Sequence, residues 1–283
     1  MNYRHAYHAG NHADVLKHMV LARVLSYLIS KDKPLAMLDA HAGIGLYDLA
    51  GAEAFKTGEW KEGIGRLLER PLTGEAATLA APYLDVVRWL NGDGALRKYP
   101  GSPEIASRLL RPTDRLLLNE LHPEDFNMVS ARYAHDYRVR VLQLDAMVAV
   151  KAQLPFMEKR GLVLVDPAFE VGDETDRAAR LVEHGLKRME TCCLLIWYPV
   201  KSANFADVFC QTLGSISKRP TLKIELMVRQ AFADGGLAGS GLICINPPWT
   251  LHDEMQVLLP TLASSLGQGK WGRGTVTWLT PPT

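Results

Sequence analysis

The chain predicts a doubly wound α/β fold, a mostly parallel sheet covered by helices on both faces, and three observations predict it. Apolar runs of strand length alternate with amphipathic stretches at helical spacing along most of its 283 residues. A glycine-bearing loop, His41-Ala42-Gly43-Ile44-Gly45, follows the first such run. Acids close three later runs, at Glu120, Asp145 and Asp166.

Taken in order, residues 13–30 carry apolar side chains at helical spacing, with Asn11 or Asp14 available near the start. Residues 34–39 (PLAMLD) form a short apolar strand that runs into the glycine loop. Strands are then expected at 115–120, 138–144, 162–166, 193–198, 222–229, 241–246 and 274–279, with helices at 123–134, 175–189, 203–216 and 252–266. One interval breaks the rhythm. Roughly 65 residues separate the glycine loop from the strand at 115, far more than a crossover needs. Residues 50–110 are therefore expected to form a small helical insertion within one domain spanning 1–283. Its Lys56, Trp60, Lys61, Arg66 and Arg70 suit a substrate-facing lobe or, equally, a solvated appendage.

The totals fit a soluble globular protein, with 47% hydrophobic and 22% charged residues. A formal net charge of +1 excludes a strongly basic, tail-like nucleic-acid binder but leaves room for a local basic face. Cys192, Cys193, Cys210 and Cys244 show no metal spacing and read as buried thiols in a reducing compartment. No stretch reaches membrane-spanning length, and Arg23 interrupts the first apolar stretch, so a secretory signal is not expected. Cytoplasm is the expected location.

The chemistry concentrates at strand ends. In Leu162-Val163-Leu164-Val165-Asp166-Pro167-Ala168-Phe169-Glu170 a buried strand ends in a carboxylate, where open α/β sheets bind ligands. Pro167 leaves nearby carbonyls free to accept, and Phe169 offers a flat face, so the segment suits a planar amine such as adenine. An ordinary Asp-Pro turn would look the same. The loop at 41–45 is not a full dinucleotide fingerprint, because Asp48 stands where the third small residue belongs. A shorter glycine loop fits a ligand without a diphosphate, and S-adenosylmethionine is the candidate. Glu120 can accept from ribose hydroxyls, the role an acid takes at the second strand of such folds. A single strand-end acid can be a helix cap, but three acids in register with a glycine loop mark a site.

The amino terminus gathers Tyr3, Arg4, His5, Tyr7, His8, Asn11, His12, Lys17 and His18. No cysteine accompanies these histidines, and no metal is expected. The set suits phosphate, ribose and base contacts. Ser102, in Tyr99-Pro100-Gly101-Ser102-Pro103, can cap a helix or touch a ligand. Asn246-Pro247-Pro248-Trp249 matches the Asp/Asn-Pro-Pro-aromatic signature of amino-group methyltransferases better than 166–169 does. A late strand is expected towards the sheet edge, so 246–249 is read as structural or as pocket wall.

The motifs YRHxxHAGNHADVLKH, LDAHAGIGLYDL, YPGSP, NELHP, DPAFE, WYPV and SGLICINPPW, in this order from Tyr3 to the carboxyl terminus, resemble the bacterial RlmJ family of 23S rRNA adenine-N6 methyltransferases. The resemblance implies a Rossmann-like class I S-adenosylmethionine-dependent fold with a helical insertion. It implies N6-methylation of an adenine in the domain V region of 23S rRNA, free or early in assembly, by direct methyl transfer. It places His18, His41, Gly43, Ser102, Glu120, Asp145, Ala146 and Asp166 at the cofactor. It places Asp166 at the catalytic position, with Pro167 and Phe169 read as acting beside it, and Tyr3 at the RNA side, with Arg4, His5 and Lys17 read as joining it. The enzyme is expected to be a monomer.

Two departures stand out. The family's Asp-Pro-Pro-Tyr is Asp-Pro-Ala-Phe here, and the glycine after the acid at 145 is Ala146. A methyltransferase acting on DNA adenine, another RNA or protein glutamine would use a similar loop. A nicotinamide-dependent oxidoreductase would need the glycine that Asp48 replaces. A non-catalytic RNA-binding relative is the reading that Ala168 keeps open.

Overall fold

The computed structural model describes residues 4–169, 174–201, 203–230 and 236–282. After a 3-10 turn at His5–Tyr7, the Asn11 side chain accepts from the N–H groups of Ala13 and Asp14 and so starts α1 (His12–Ile29). That helix is buried from Ala13 to Ala22, as expected where apolar residues run most of the way round. β1 (Ala36–Asp39) is buried throughout. β2 (Leu46–Asp48) then opens a lobe comprising α2 (Ala52–Thr57), a π turn at Lys61–Gly65, α3 (Arg66–Glu69) and α4 (Gly74–Asn91). β3 (Lys98–Pro100) closes it by pairing antiparallel with β2, Tyr47 opposite Tyr99.

α5 (Ser102–Leu109) packs on β1 and on β4 (Arg115–Asn119). There follow α6 (Pro123–Tyr133), β5 (Val139–Leu142), α7 (Ala146–Gln153), β6 (Gly161–Val165) and α8 (Glu174–Arg188). β7 (Cys193–Val200), α9 (Ala203–Ile216), β8 (Thr221–Met227), β9 (Gly239–Ile245), α10 (Leu251–Leu266) and β10 (Arg273–Thr280) complete the chain. Strands lie in the order β10-β8-β9-β7-β6-β1-β4-β5. β5, β4, β1, β6 and β7 are parallel neighbours, whereas β9 runs antiparallel to both β7 and β8, and β10 antiparallel to β8.

The alternation of side chains along each strand feeds two cores. Leu162 and Leu164 of β6 join α1, α4, α5 and α10 on one face, while Val163 and Val165 join α7, α8 and α9 on the other. The doubly wound arrangement follows from strands that are apolar on both faces. Among the described residues no helix is long and apolar enough to cross a membrane.

Three features differ from the sequence expectation. The stem of the inserted lobe is the β2–β3 ribbon, so the expected span 50–110 also takes in α5, which packs on the main sheet. α7 was not expected as a helix; it is short, and Asp145 starts it as an N-cap. The third concerns 246–249. β9 is not at the edge but between β8 and β7, and its reversed direction delivers Asn246 to the amino ends of the parallel strands. There the Asn246 amide donates to the carbonyls of Glu190 and Cys192, so the segment is structural and no wall of a pocket at the carboxyl ends.

The lobe is docked onto the amino-terminal segment. The Ile64 N–H donates to the Gly10 carbonyl at 2.8 Å, and any Cβ on Gly63 would collide with that same oxygen. Thr57 Oγ1 also donates to the Tyr7 carbonyl.

Candidate active site

A cavity of about 520 Å³ opens at the carboxyl ends of β1, β4, β5 and β6, the place where open sheets bind ligands. Its floor begins with Gly43. This residue has φ 58°, and a Cβ there would run into the Tyr47 hydroxyl. The Gly43 N–H donates to Glu120 Oε2 at 2.8 Å, and Glu120 Oε1 accepts from the His122 N–H at 2.8 Å. Glu120 thereby ties the first two strand-end loops together. Burial pushes its carboxyl up, against the pull of those two N–H groups.

Asp39, at the end of β1, is fully buried. It accepts from Ser102 Oγ at 2.6 Å and from the His41 N–H at 3.2 Å. Burial raises it to about 6 in spite of both bonds. Ser102 therefore opens α5 with its hydroxyl already engaged, and Gly101, not Ser102, is the cap residue. His41 Nδ1 accepts from the Asp166 N–H at 3.2 Å, which leaves Nε2 as the protonated nitrogen. Burial lowers His41 to about 4 and His18 to about 3, so both rings are neutral near pH 7. His18 Nδ1 bonds the Tyr99 hydroxyl at 2.8 Å, and Tyr99 bonds Tyr83 at 2.9 Å. His18 Nε2 is buried with no partner among the described residues, and His18 lines the cavity.

Asp145 combines two roles that sequence treats as alternatives. Its Oδ1 caps α7, accepting from the N–H of Met147 at 2.9 Å and of Val148 at 3.4 Å. Its Oδ2 accepts from Arg177 Nη2 at 2.7 Å. Ala146, the first residue of α7, also lines the cavity.

Asp166 follows β6. Its Oδ2 lies 2.5 Å from Lys17 Nζ, and Lys17 Nζ lies 2.8 Å from Asp14 Oδ1. Asp14 in turn accepts from the Gly10 N–H, and its Oδ2 lies 2.9 Å from His5 Nε2. Burial pulls the Lys17 ammonium down, but the two carboxylates override it and hold it well above the usual lysine range. Burial likewise pushes Asp14 up, and the charges of His5 and Lys17 hold it well below the usual carboxylate range. Lys17 was expected at the RNA side. The structure places it, almost fully buried, in the cavity wall beside Asp166, with its charge engaged by two carboxylates.

The remaining expected residues divide. His5, Pro167 and Ala168 line the cavity. Arg4 pairs with Glu124 of α6, which brings the amino-terminal segment across to the far loop. Phe169 adopts φ 49°, and its ring is not among the cavity walls. It lies edge-on to Trp197 and Phe209, at centroid distances of 5.7 and 5.9 Å. Tyr3 and Glu170 lie outside the described residues.

Sequence reasoning missed Asp39, Asn119 and Arg177. Asp39 carried a signal, being an acid at the end of the first strand. Asn119 carried none: its amide donates to the carbonyls of Ala40 and Leu144 and its oxygen accepts from the Leu144 N–H, which holds three strand ends in register. The amino-terminal histidines separate, His5 onto Asp14 and His8 onto Glu59. Among the described residues no three His, Cys, Asp or Glu converge as a metal-binding set.

Residues 32–280 match the family model described as "Ribosomal RNA large subunit methyltransferase D, RlmJ". The chain is 44% identical over 285 residues to Ribosomal RNA large subunit methyltransferase J of Haemophilus influenzae, and 41% identical over 281 residues to that of Escherichia coli. In both cases 99% of each chain is covered. A crystal structure of a Legionella pneumophila protein, 35% identical, superposes with a TM-score of 0.87 over 95% of this chain and 98% of the other.

Proposed function

The chain belongs to the Ribosomal RNA large subunit methyltransferase D, RlmJ, family, and from that premise we propose how its cavity performs S-adenosylmethionine-dependent rRNA methylation. The acceptor is the exocyclic N6 of an adenine in 23S rRNA. The observation that carries this reading is Asp166: a carboxylate at the end of β6, fixed by Lys17, in the same cavity as Glu120 and Asp145.

The residues present fit the cofactor. The cavity is in the range used by ligands of this size. The strand-end acids suit ribose and adenine, and the unpartnered His18 Nε2 awaits a polar group. The neutral rings of His18 and His41 add no positive charge beside a sulfonium. When bound, S-adenosylmethionine supplies an electrophilic methyl group. Glu120, anchored through two N–H groups, accepts from the ribose hydroxyls, while Asp145 and the backbone of Ala146 face the adenine. His18, His41, Gly43 and Ser102 shape the rest of the cofactor side.

The target base is unstacked from the RNA to reach this depth. Asp166 and the Pro167 carbonyl accept hydrogen bonds from its amine, aim the nitrogen lone pair and stabilise the positive charge that develops on it. Lys17 acts through Asp166 as a positioning residue. Anchorage from Lys17 and from the His41–Asp166 contact substitutes for the rigidity that a second proline would give at Ala168. Phe169 stacks on the base once its ring extends from the Trp197–Phe209 cluster. Tyr3, Arg4 and His5 are the residues assigned to RNA contact. The enzyme works as a cytoplasmic monomer on 23S rRNA that is free or early in assembly, where an adenine can still be extruded.

The test is transfer of labelled methyl to protein-free 23S rRNA followed by nucleoside analysis. N6-methyladenosine is expected, at one position. Label on another nucleoside, or undiminished transfer by Asp166→Ala, would overturn the assignment.

A further inference from the structure

We propose that Arg177 is a positioning residue for the cofactor's adenine: it holds Asp145 in the orientation that receives the exocyclic amine, and so sets the preference for adenine over other purines. The inference rests on reading the cavity as the S-adenosylmethionine site.

A carboxylate that only caps a helix is held through one oxygen and can rotate about its Cβ–Cγ bond. Asp145 caps α7 through Oδ1, and Arg177 engages the other oxygen at 2.7 Å. The plane of the carboxylate is then fixed, and Oδ2 keeps a second lone pair for a further donor. Both side chains line the cavity. An arginine suits this task because its planar fork gives a directed hydrogen bond together with charge.

Stability explains the pair poorly. The Arg177 and Asp145 side chains are 55% and 36% exposed, and ion pairs so open to water contribute little to folding. α7 and α8 already pack together within the second core. What the pair does accomplish is to join Asp145 to α8, the helix that follows the Asp166 loop.

Calorimetric titration of the intact protein tests the proposal. S-adenosylhomocysteine is compared with S-inosylhomocysteine, in which a carbonyl oxygen replaces the amine, on the wild type, Arg177→Ala and Arg177→Gln. Affinity for S-adenosylhomocysteine is expected to fall about tenfold in both variants, the weight of one charged hydrogen bond. Affinity for the inosyl analogue changes less than about twofold, so the preference for the amine shrinks. In turnover assays KM for S-adenosylmethionine rises by more than kcat falls. Equal losses for both ligands would reduce Arg177 to a structural role, and no loss overturns the proposal. A gain in affinity overturns it too, because Arg177 would then compete for Asp145. A wild type that binds neither ligand defeats instead the reading of the cavity itself. Arg177→Gln keeps the stem of the side chain, and circular dichroism shows that both variants are folded.

Discussion

Two segments of this chain carry nearly the same string, Asp166-Pro167-Ala168-Phe169 and Asn246-Pro247-Pro248-Trp249, and the fold sends them to opposite ends of the strands of one sheet. The first leaves β6 at the carboxyl ends, beside the glycine loop, and its carboxylate meets Lys17 in the cavity. The second leaves β9, which runs antiparallel to β7, and its amide is occupied by the carbonyls of Glu190 and Cys192. The segment that matches the methyltransferase signature more closely is thus the one that does not line this cavity. Strand direction, which no local motif encodes, decides which of them can touch a substrate.

The comparison can be broken most directly at the two leading residues. Asp166→Ala should lower methyl transfer by at least about a thousandfold, the scale of losing a group that acts in the transition state, while S-adenosylhomocysteine binding is largely retained. Asn246→Ala should leave methylation of 23S rRNA intact and lower stability by about 2 kcal/mol, since it frees two carbonyls and puts alanine at φ 53°. Equal activity losses in the two variants would defeat the contrast.

Lys17→Met comes next. It takes the counter-charge from part-buried Asp166 and leaves buried Asp14 with only His5 and the Gly10 N–H, so turnover should drop about a hundredfold, and a loss of about 3 kcal/mol should appear in urea melts. A stable, active Lys17→Met protein would show that Asp166 needs no support from α1.

The third expectation concerns pH. Burial holds His12 at about 4, His18 at about 3 and His41 at about 4, below the ordinary 6.5. Each contributes stability that is present above pH 6.5 and lost as pH falls towards those values. Asp39, raised to about 6 by burial, works the other way, its contribution being complete below 3.8 and lost as pH rises through 6. Glu120, raised by burial, and His8, raised by its bond to Glu59, side with Asp39. The three deep histidine shifts outweigh them, so lowering the pH from 7 to 4.5 should give a net loss on the order of a few kcal/mol. Thermal melts across that range measure it, and a flat profile would mean that the rings are not held neutral. The smallest effect belongs to Trp249, which is 76% exposed. Trp249→Ala should change turnover less than about twofold, and a larger change would return 246–249 to the working face.

Much of the architecture was legible because the strands are apolar on both faces; β6 reads as a strand from Leu162 to Val165 without any tertiary information. The strand-end residues Glu120, Asp145 and Asp166 were legible because three acids recur at the same position beside a glycine loop, although one alone could be a helix cap, as Asp145 also is. The β2–β3 ribbon was not, since three residues per strand carry no usable period. The partners of Lys17 were illegible for a related reason. On the sequence it is one more basic residue near a histidine cluster, and only the packing of α1 against the strand ends makes it the counter-charge of residues 3 and 149 positions away. Arg177 and Asn119 act through partners far along the chain and leave no local trace.

The ribbon also bears on how the protein folds. Asp39 and Ser102 sit 63 positions apart in the chain yet share a hydrogen bond just behind the cavity wall. Everything between β2 and β3 must be gathered in before that bond can form, and closing so long a loop is an entropic barrier that no local contact removes. Binding competence therefore arrives late during refolding, after the helical lobe has closed and well after the first helices, and ligand-detected refolding should lag behind the far-ultraviolet signal.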